Sequence, residues 1–415
     1  MNGFIRAVCL FALQASAISA LAATELASPA VELAVSTRQA VNRDGEHALA
    51  EFTLLGGMQW KPAQDWRLRA RVRAVAETKL EPTSFRSLEW DEGFVEHVGD
   101  ACSIRAGRQT VVWGSADRLR VLDIVHSQDL REGVFGDPSL SRLPLAMLNI
   151  ECASGAQSLQ WLLIPEFRAN RTPQPGGRFY VPNLVDLLAA AKVPVAAGEK
   201  PDWKDPADWS AGVKWAGRWG PADVSLNAFH GWQTSSTARL VSASTPTGLA
   251  YEAGFSRLSM IGASVAAPVG PLVLKAEASV FPNAMAYYRG ASGSPDATPA
   301  GERRVLGGVD YQAARWFFAT QYYVQQTRSD LQLVEPAWQR IVTLAARREF
   351  LQGRLNVTSY IAHDLTRPAQ FLSLQSTYEL GAKWQASAGL DLFRGDPTSF
   401  GRFRPESRLV LGLRR

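Results

Sequence analysis

The chain has 415 residues, of which 46% are apolar and 20% charged, and its formal net charge is only +5. A charge so small and so evenly spread, with no basic block, argues against nucleic acid as a partner. Beyond the first residues, no stretch approaches the roughly 18 uninterrupted apolar residues that a membrane-spanning helix needs.

The first residues read as an export signal. Arg6 supplies the positive start, Ala7 to Leu21 is largely apolar, and Ala20-Leu21-Ala22 has the small-x-small form of a cleavage site. Residues 1–22 are thus expected to be a cleaved signal peptide, with 23–415 as one barrel domain. Export exposes thiols to oxidation. Cys102 and Cys152 both fall near turns at the same end of neighbouring predicted strands, so a disulfide is expected between them. Two unpaired apolar thiols are the alternative, because cross-strand geometry is demanding.

Downstream, apolar and polar residues alternate with a period of two, the pattern of strands with unlike faces. Such segments lie at 30–38, 46–59, 65–77, 84–98, 100–112, 143–153 and 156–168. They continue at 207–217, 221–231, 254–267, 271–281, 303–313, 315–327, 338–349, 353–363, 370–380, 382–393 and 405–415. In the third, Arg67, Arg69, Arg71 and Arg73 alternate with Leu68, Ala70, Val72 and Ala74. Turned toward lipid, each arginine would cost roughly 2–4 kcal/mol near the midplane, so the charged face must line a lumen. The links alternate in length. Short ones include Pro62-Ala63-Gln64, Gly99-Asp100, Ser154-Gly155 and Gly270-Pro271, and long ones fall at 113–142, 169–206, 232–253, 282–302 and 394–404. A short amphipathic helix is expected at Leu184 to Ala191. The 13 Trp, 18 Phe and 9 Tyr suit interfacial girdles. The expected fold is all-β: a transmembrane antiparallel up-and-down β-barrel of eighteen strands, sixteen or twenty being the neighbouring even counts. The bacterial outer membrane is its expected place.

Charged lumen positions carry the expected function. The arginine ladder, with Glu89, Asp91, Arg105, Lys275 and Glu277, is read as pore-lining and as selecting anionic or polar solutes. The opposing reading is a lumen closed by its own ion pairs, the ladder against Glu89 and Asp91. The link at 113–142 is expected to fold inward as a constriction loop, carrying Trp113, Asp117, Asp123, Asp129, Arg131, Glu132, Asp137 and Arg142. Its acids would face the ladder across the narrowing. The five histidines have no metal-ligand spacing, and adjacency of His126 and Ser127 does not make a catalytic triad. No catalytic residues, metal site or cofactor are therefore expected.

Gly107-Arg108-Gln109, Trp113-Gly114, Asp117, Asp129-Leu130-Arg131-Glu132, Arg142, Pro144 and Met147-Leu148 together resemble the pattern of a proteobacterial outer-membrane family known only as a domain of unknown function. The resemblance covers about 107–148, and His126-Ser127 stands where that pattern has Asn-Pro. It implies a barrel engaged in envelope transport, with hydrophobic compounds among its candidate solutes. Expected partners are outer-membrane lipid and lipopolysaccharide, the barrel-assembly machinery, a periplasmic transport partner, and a small anionic, polar or hydrophobic solute. Alternatives are the outer-membrane component of an export system and a plugged barrel with a structural or adhesive role. The last residues, Arg414-Arg415, offer no terminal aromatic, so either assembly relies on an internal signal or the natural end has been altered.

Overall fold

The computed structural model describes residues 29–116, 118–135, 141–242, 249–290, 293–381 and 383–415; the export signal read at 1–22 lies outside them. Within them the alternating segments become strands β1 (Ala30–Asn42), β2 (His47–Ala63), β3 (Trp66–Thr78), β4 (Phe85–Val98), β5 (Cys102–Gln109), β6 (Leu145–Ser154) and β7 (Gln157–Ile164). A short β8 (Val195–Ala197) precedes β9 (Ser210–Trp219) and β10 (Ala222–Trp232), and β11 (Thr237–Ser242) and β12 (Ala250–Gly254) precede β13 (Arg257–Val269). There follow β14 (Leu272–Arg289), β15 (Pro295–Ala313), β16 (Trp316–Arg328), β17 (Trp338–Phe350), β18 (Leu355–Asp364), β19 (Ala369–Glu379), β20 (Gln385–Gly395) and β21 (Arg408–Arg414).

All but β8, β11 and β12 form one 18-stranded sheet in which chain neighbours pair antiparallel. It closes where β1 pairs with β21, from Asn42↔Arg408 to Ser36↔Arg414. Closure removes the two edges whose unpaired N–H and C=O groups hydrocarbon could not satisfy. Alternation then separates two environments. Leu33, Ile261, Val305, Leu344 and Leu409 are exposed on the outer face, while Lys275 and Asp310, or Arg408 and Asp391, pair on the inner one.

The three remaining strands make a small sheet beside the long-loop end, with β12 parallel to β8 and antiparallel to β11. It packs Leu188, Ala238 and Tyr251 against one another. Leu188 belongs to α1 (Leu184–Ala190), the helix its amphipathic pattern predicts, which starts on a capping box made by Asn183 and Asp186. The unit rests on the β14–β15 hairpin: Ala238 N–H donates to the Tyr287 hydroxyl at 3.0 Å, and the Tyr251 hydroxyl donates to Pro295 O at 2.8 Å.

That hairpin corrects one expectation. The stretch 282–302 is mostly strand, not loop, paired from Ala284↔Ala300 to Arg289↔Pro295. It carries no clean alternation because it supports the small sheet instead of separating lipid from lumen.

The outer belt gives a direct test. Ile261 is 71% exposed near the middle of β13. Ile261→Lys is expected to destabilise the barrel by roughly 2–4 kcal/mol in urea unfolding from phospholipid vesicles. A loss below about 1 kcal/mol would mean that this face does not meet hydrocarbon.

Candidate functional site

The link between β5 and β6, residues 110–144, folds into the barrel and crosses it. Its first contact is Trp113, whose Nε1 donates to Gln160 Oε1 on β7 at 2.9 Å. Gly212 on β9 makes room for the indole, since a Cβ there would stand 2.7 Å from the ring. The backbone N–H groups of Ser115 and Ala116 then donate to the buried Glu277 carboxylate on β14. Ser279 Oγ donates to Val121 O at 2.9 Å, and Arg304 on β15 donates to Arg120 O at 3.1 Å. Leu122 fits over Gly262 of β13, where a Cβ would approach it to 2.3 Å. Farther on, Phe135 packs edge-on against Phe393 and tilted against Phe371. Glu132 reaches the closing seam, accepting from Arg38 of β1 and from Arg408 Nη2 of β21 at 2.7 Å. Burial alone would raise the pKa of Glu132, but the two guanidiniums overcome it and hold the carboxyl at about 2.

The loop chooses one side of the lumen for an apolar reason. Met260, Phe281, Leu306, Tyr323, Ile341, Tyr360, Phe371 and Phe393, from β13 to β20, form with Val121, Leu122, Val125 and Phe135 one buried cluster inside the barrel. The facing wall is mixed: Leu145 and Met147 of β6 and Leu162 and Ile164 of β7 join the same cluster, while the inward side of β3 to β5 is mostly polar. There Arg67 pairs with Glu96 at 3.5 Å, Arg69 with Glu92 at 2.8 Å, Arg71 with Asp91 at 2.7 Å and Arg73 with Asp91 at 3.5 Å. A β-bulge makes this set. The β3–β4 register shifts at Arg71/Val72, leaving Asp91 as the extra residue, so both Asp91 and Glu92 meet the ladder. Strict alternation hid Glu92 and Glu96. It would have aimed two acids of one strand at lipid, and that cost was the available signal of a bulge.

Other predicted residues have different partners. Glu89 pairs with Arg168 and Arg171 from the link after β7, not with the ladder. Arg105 binds Glu96 at 2.6 Å, and Lys275 pairs with Asp310. In the loop, Asp123 binds Arg142 at 2.8 Å, Asp129 binds Arg131 at 2.8 Å, and Arg131 also reaches Glu77 of β3 at 3.1 Å. The expectation that loop acids face the ladder is therefore corrected for Asp123, Asp129 and Glu132: nearer guanidiniums of the loop and the seam claim them first. Asp117 and Asp137 lie outside the described residues. Cys102 and Cys152 stand directly opposite each other on β5 and β6 and are joined by a disulfide. Sequence reasoning missed the amide chain beneath the loop, where Gln160 donates to Asn149 at 3.1 Å and Asn149 to Gln109 at 3.3 Å. Among the described residues no three His, Cys, Asp or Glu side chains converge on a metal-sized point.

His126 ties the loop's two ends together. Its Nε2 accepts from Val111 N–H at 2.9 Å, and its Nδ1 faces Leu143 O at 3.0 Å as the donor. Burial, foremost, lowers its pKa from 6.5 to about 4. The unfolded chain therefore binds this proton more readily than the native one, and stability falls as pH drops from 6.5 toward 4. Taken as the difference between wild type and His126→Gln, the His126 share of the loss at pH 5 relative to pH 7 is expected to be on the order of 2 kcal/mol in urea unfolding. His126→Gln, which can repeat both hydrogen bonds, is expected to remove that pH dependence. Gly262→Val is expected to expel Leu122 and make the loop open to added protease while the barrel stays folded; a protease-resistant variant would refute the docking.

The family model for a protein of unknown function (DUF1302) matches residues 82–400. No curated protein matches the sequence. Among solved structures, Pseudomonas aeruginosa OccK5 (OpdH) is 10% identical, with a TM-score of 0.51 over 94% of this chain and 97% of that one. A mutant of the Rh. blastica porin (9% identity, TM-score 0.42, 93% and 99% covered) and Salmonella typhi OmpF in complex with daunomycin (10%, 0.43, 92% and 96%) also match. At these identities the likeness is one of fold, that of a porin-like barrel. With the family match running from β4 through β20, and the inward loop within it, the chain belongs to the DUF1302 family of proteins of unknown function.

Proposed function

We propose that the protein is an outer-membrane channel whose lumen is narrowed by the 110–144 loop and whose free path follows the arginine ladder. The long-loop end then faces outward and the short turns face the periplasm. The observation that carries this reading is a gradient. Side-chain exposure along the ladder runs from 45% at Arg67 through 34% at Arg69 and 24% at Arg71 to 16% at Arg73. Such a gradient describes a water-filled funnel, wide at the short-turn end and tapering toward the loop. Among the described residues Arg67, Arg69, Arg71, Arg73 and Arg105 share only Asp91, Glu92 and Glu96 as ion-pair partners, so this stretch of wall keeps a positive surplus. A positive wall bounded by low dielectric concentrates anionic and polar solutes. Catalysis has less support, because His126 spends both ring nitrogens on backbone partners.

A plugged barrel is the second reading. It is favoured by the loop's bonds to opposite walls, at Glu277 of β14 and at Arg38 of β1. Planar-bilayer recordings separate the two. The channel reading expects an anion-preferring current whose preference weakens or reverses in Arg69→Glu/Arg71→Glu. A folded barrel that passes no current would overturn it in favour of the plug.

A further inference from the structure

The polar wall holds a cavity of about 340 Å³ below the start of the loop, lined by Glu96, Arg105, Glu151, Gln160 and Lys214 together with hydroxyl and amide groups. This volume lies at the small end of ligand pockets, roughly 300–1,000 Å³. Two of its charges cancel: Arg105 and Glu96 bind each other, and Glu96 also takes the bottom of the ladder through Arg67. The other two do not. Among the described residues neither Glu151 nor Lys214 has an ion-pair partner.

Strand register explains why these two opposite charges stay apart. Ser103↔Glu151, Glu151↔Gln160, Gln160↔Lys214 and Lys214↔Asn227 are direct cross-strand partners, so one row runs over β5, β6, β7, β9 and β10. Gln160 stands between the acid and the amine, two strand spacings of about 4.8 Å apart. Its amide is engaged elsewhere, Oε1 accepting from Trp113 and Nε2 donating to Asn149. On its other side the direct cross-strand partner of Lys214 is Asn227, with the Glu277 carboxylate farther off on β14. The row thus presents an acid and an amine across a polar cavity, neither of them in an ion pair among the described residues.

We propose that this cavity binds a small zwitterion of amino-acid or dipeptide size, its ammonium on Glu151 and its carboxylate on Lys214. The inference deepens the channel reading, on which it rests only for the route by which solute reaches the cavity from the funnel. Two charged contacts favour a ligand that carries both charges, since a singly charged ligand leaves one wall group without a partner.

The test uses the detergent-purified full barrel and isothermal titration with three probes of one skeleton: L-alanyl-L-alanine, its N-acetyl derivative (anion) and its amide (cation). The zwitterion is expected to bind at least tenfold tighter than either analogue. Lys214→Met should erase its advantage over the amide, and Glu151→Gln its advantage over the N-acetyl form. Lys214→Gln reads the same contact should the Met variant not fold, folding being followed by heat-modifiable gel migration. The proposal is overturned if the N-acetyl anion binds as tightly as the zwitterion, if both variants keep the wild-type preference, or if no probe binds the folded barrel. Titration does not depend on current. A barrel that binds the zwitterion but stays silent in bilayers keeps the site and loses only the channel reading.

Discussion

A strand that meets hydrocarbon on one side must place its charges on the other, and its backbone must find partners in neighbouring strands. The rest of this molecule depends on that double constraint. The backbone requirement closes β1 onto β21. The side-chain requirement fills the interior with ionisable groups, which in turn need counterions. Some find them across one strand gap, as Lys275 does at Asp310 and Arg408 at Asp391. Glu277 instead takes backbone N–H groups of the inward loop, and Arg38, already paired with Glu51 across the β1–β2 gap, also takes Glu132 from the same loop. The loop is held inside because it supplies what the wall lacks.

Apolar burial decides which half of the lumen the loop occupies. A barrel has no core of its own, yet here the inward positions from β13 to β20 are rich in aromatic and branched side chains, and Phe135 and Leu122 turn them into one. Glycine at 212 and 262 lets the backbone of the wall approach the loop's side chains. The β3–β5 stretch offers mainly guanidiniums, carboxylates and amides, which gain little from apolar contact and more from water. The lumen is therefore divided into a packed side and a wet side. The division is written in inner-face composition, not in any one residue.

Much of the fold was legible because membrane alternation is a local rule repeated eighteen times; each predicted segment corresponds to one barrel strand. The motif at 107–148 likewise marked the inward loop as a unit. Charge pairing was less legible. The ladder's partners depend on a one-residue bulge at Asp91, which changes the parity of β4 and cannot be read by counting in twos. The partners of Glu132 lie 94 and 276 residues away, on strands joined only by closure. Nothing local distinguishes Glu132 from Asp129, which folds back onto Arg131 two residues on. Likewise Gln160 and Asn149 look like ordinary inward polar residues until Trp113 arrives from the loop to saturate the chain.

These contacts also bear on how a solute could pass. Swinging the loop out would strip Glu277 of its backbone donors inside a desolvated wall, leave Arg408 with Asp391 alone, and expose the Phe135 cluster to water. An uncompensated buried carboxylate is by itself a cost of several kcal/mol. Loop displacement is therefore an expensive route, whereas the ladder wall needs no rupture of the core to admit a charged solute. In the channel reading the conducting path runs beside the loop, down the side where the guanidiniums remain partly wet.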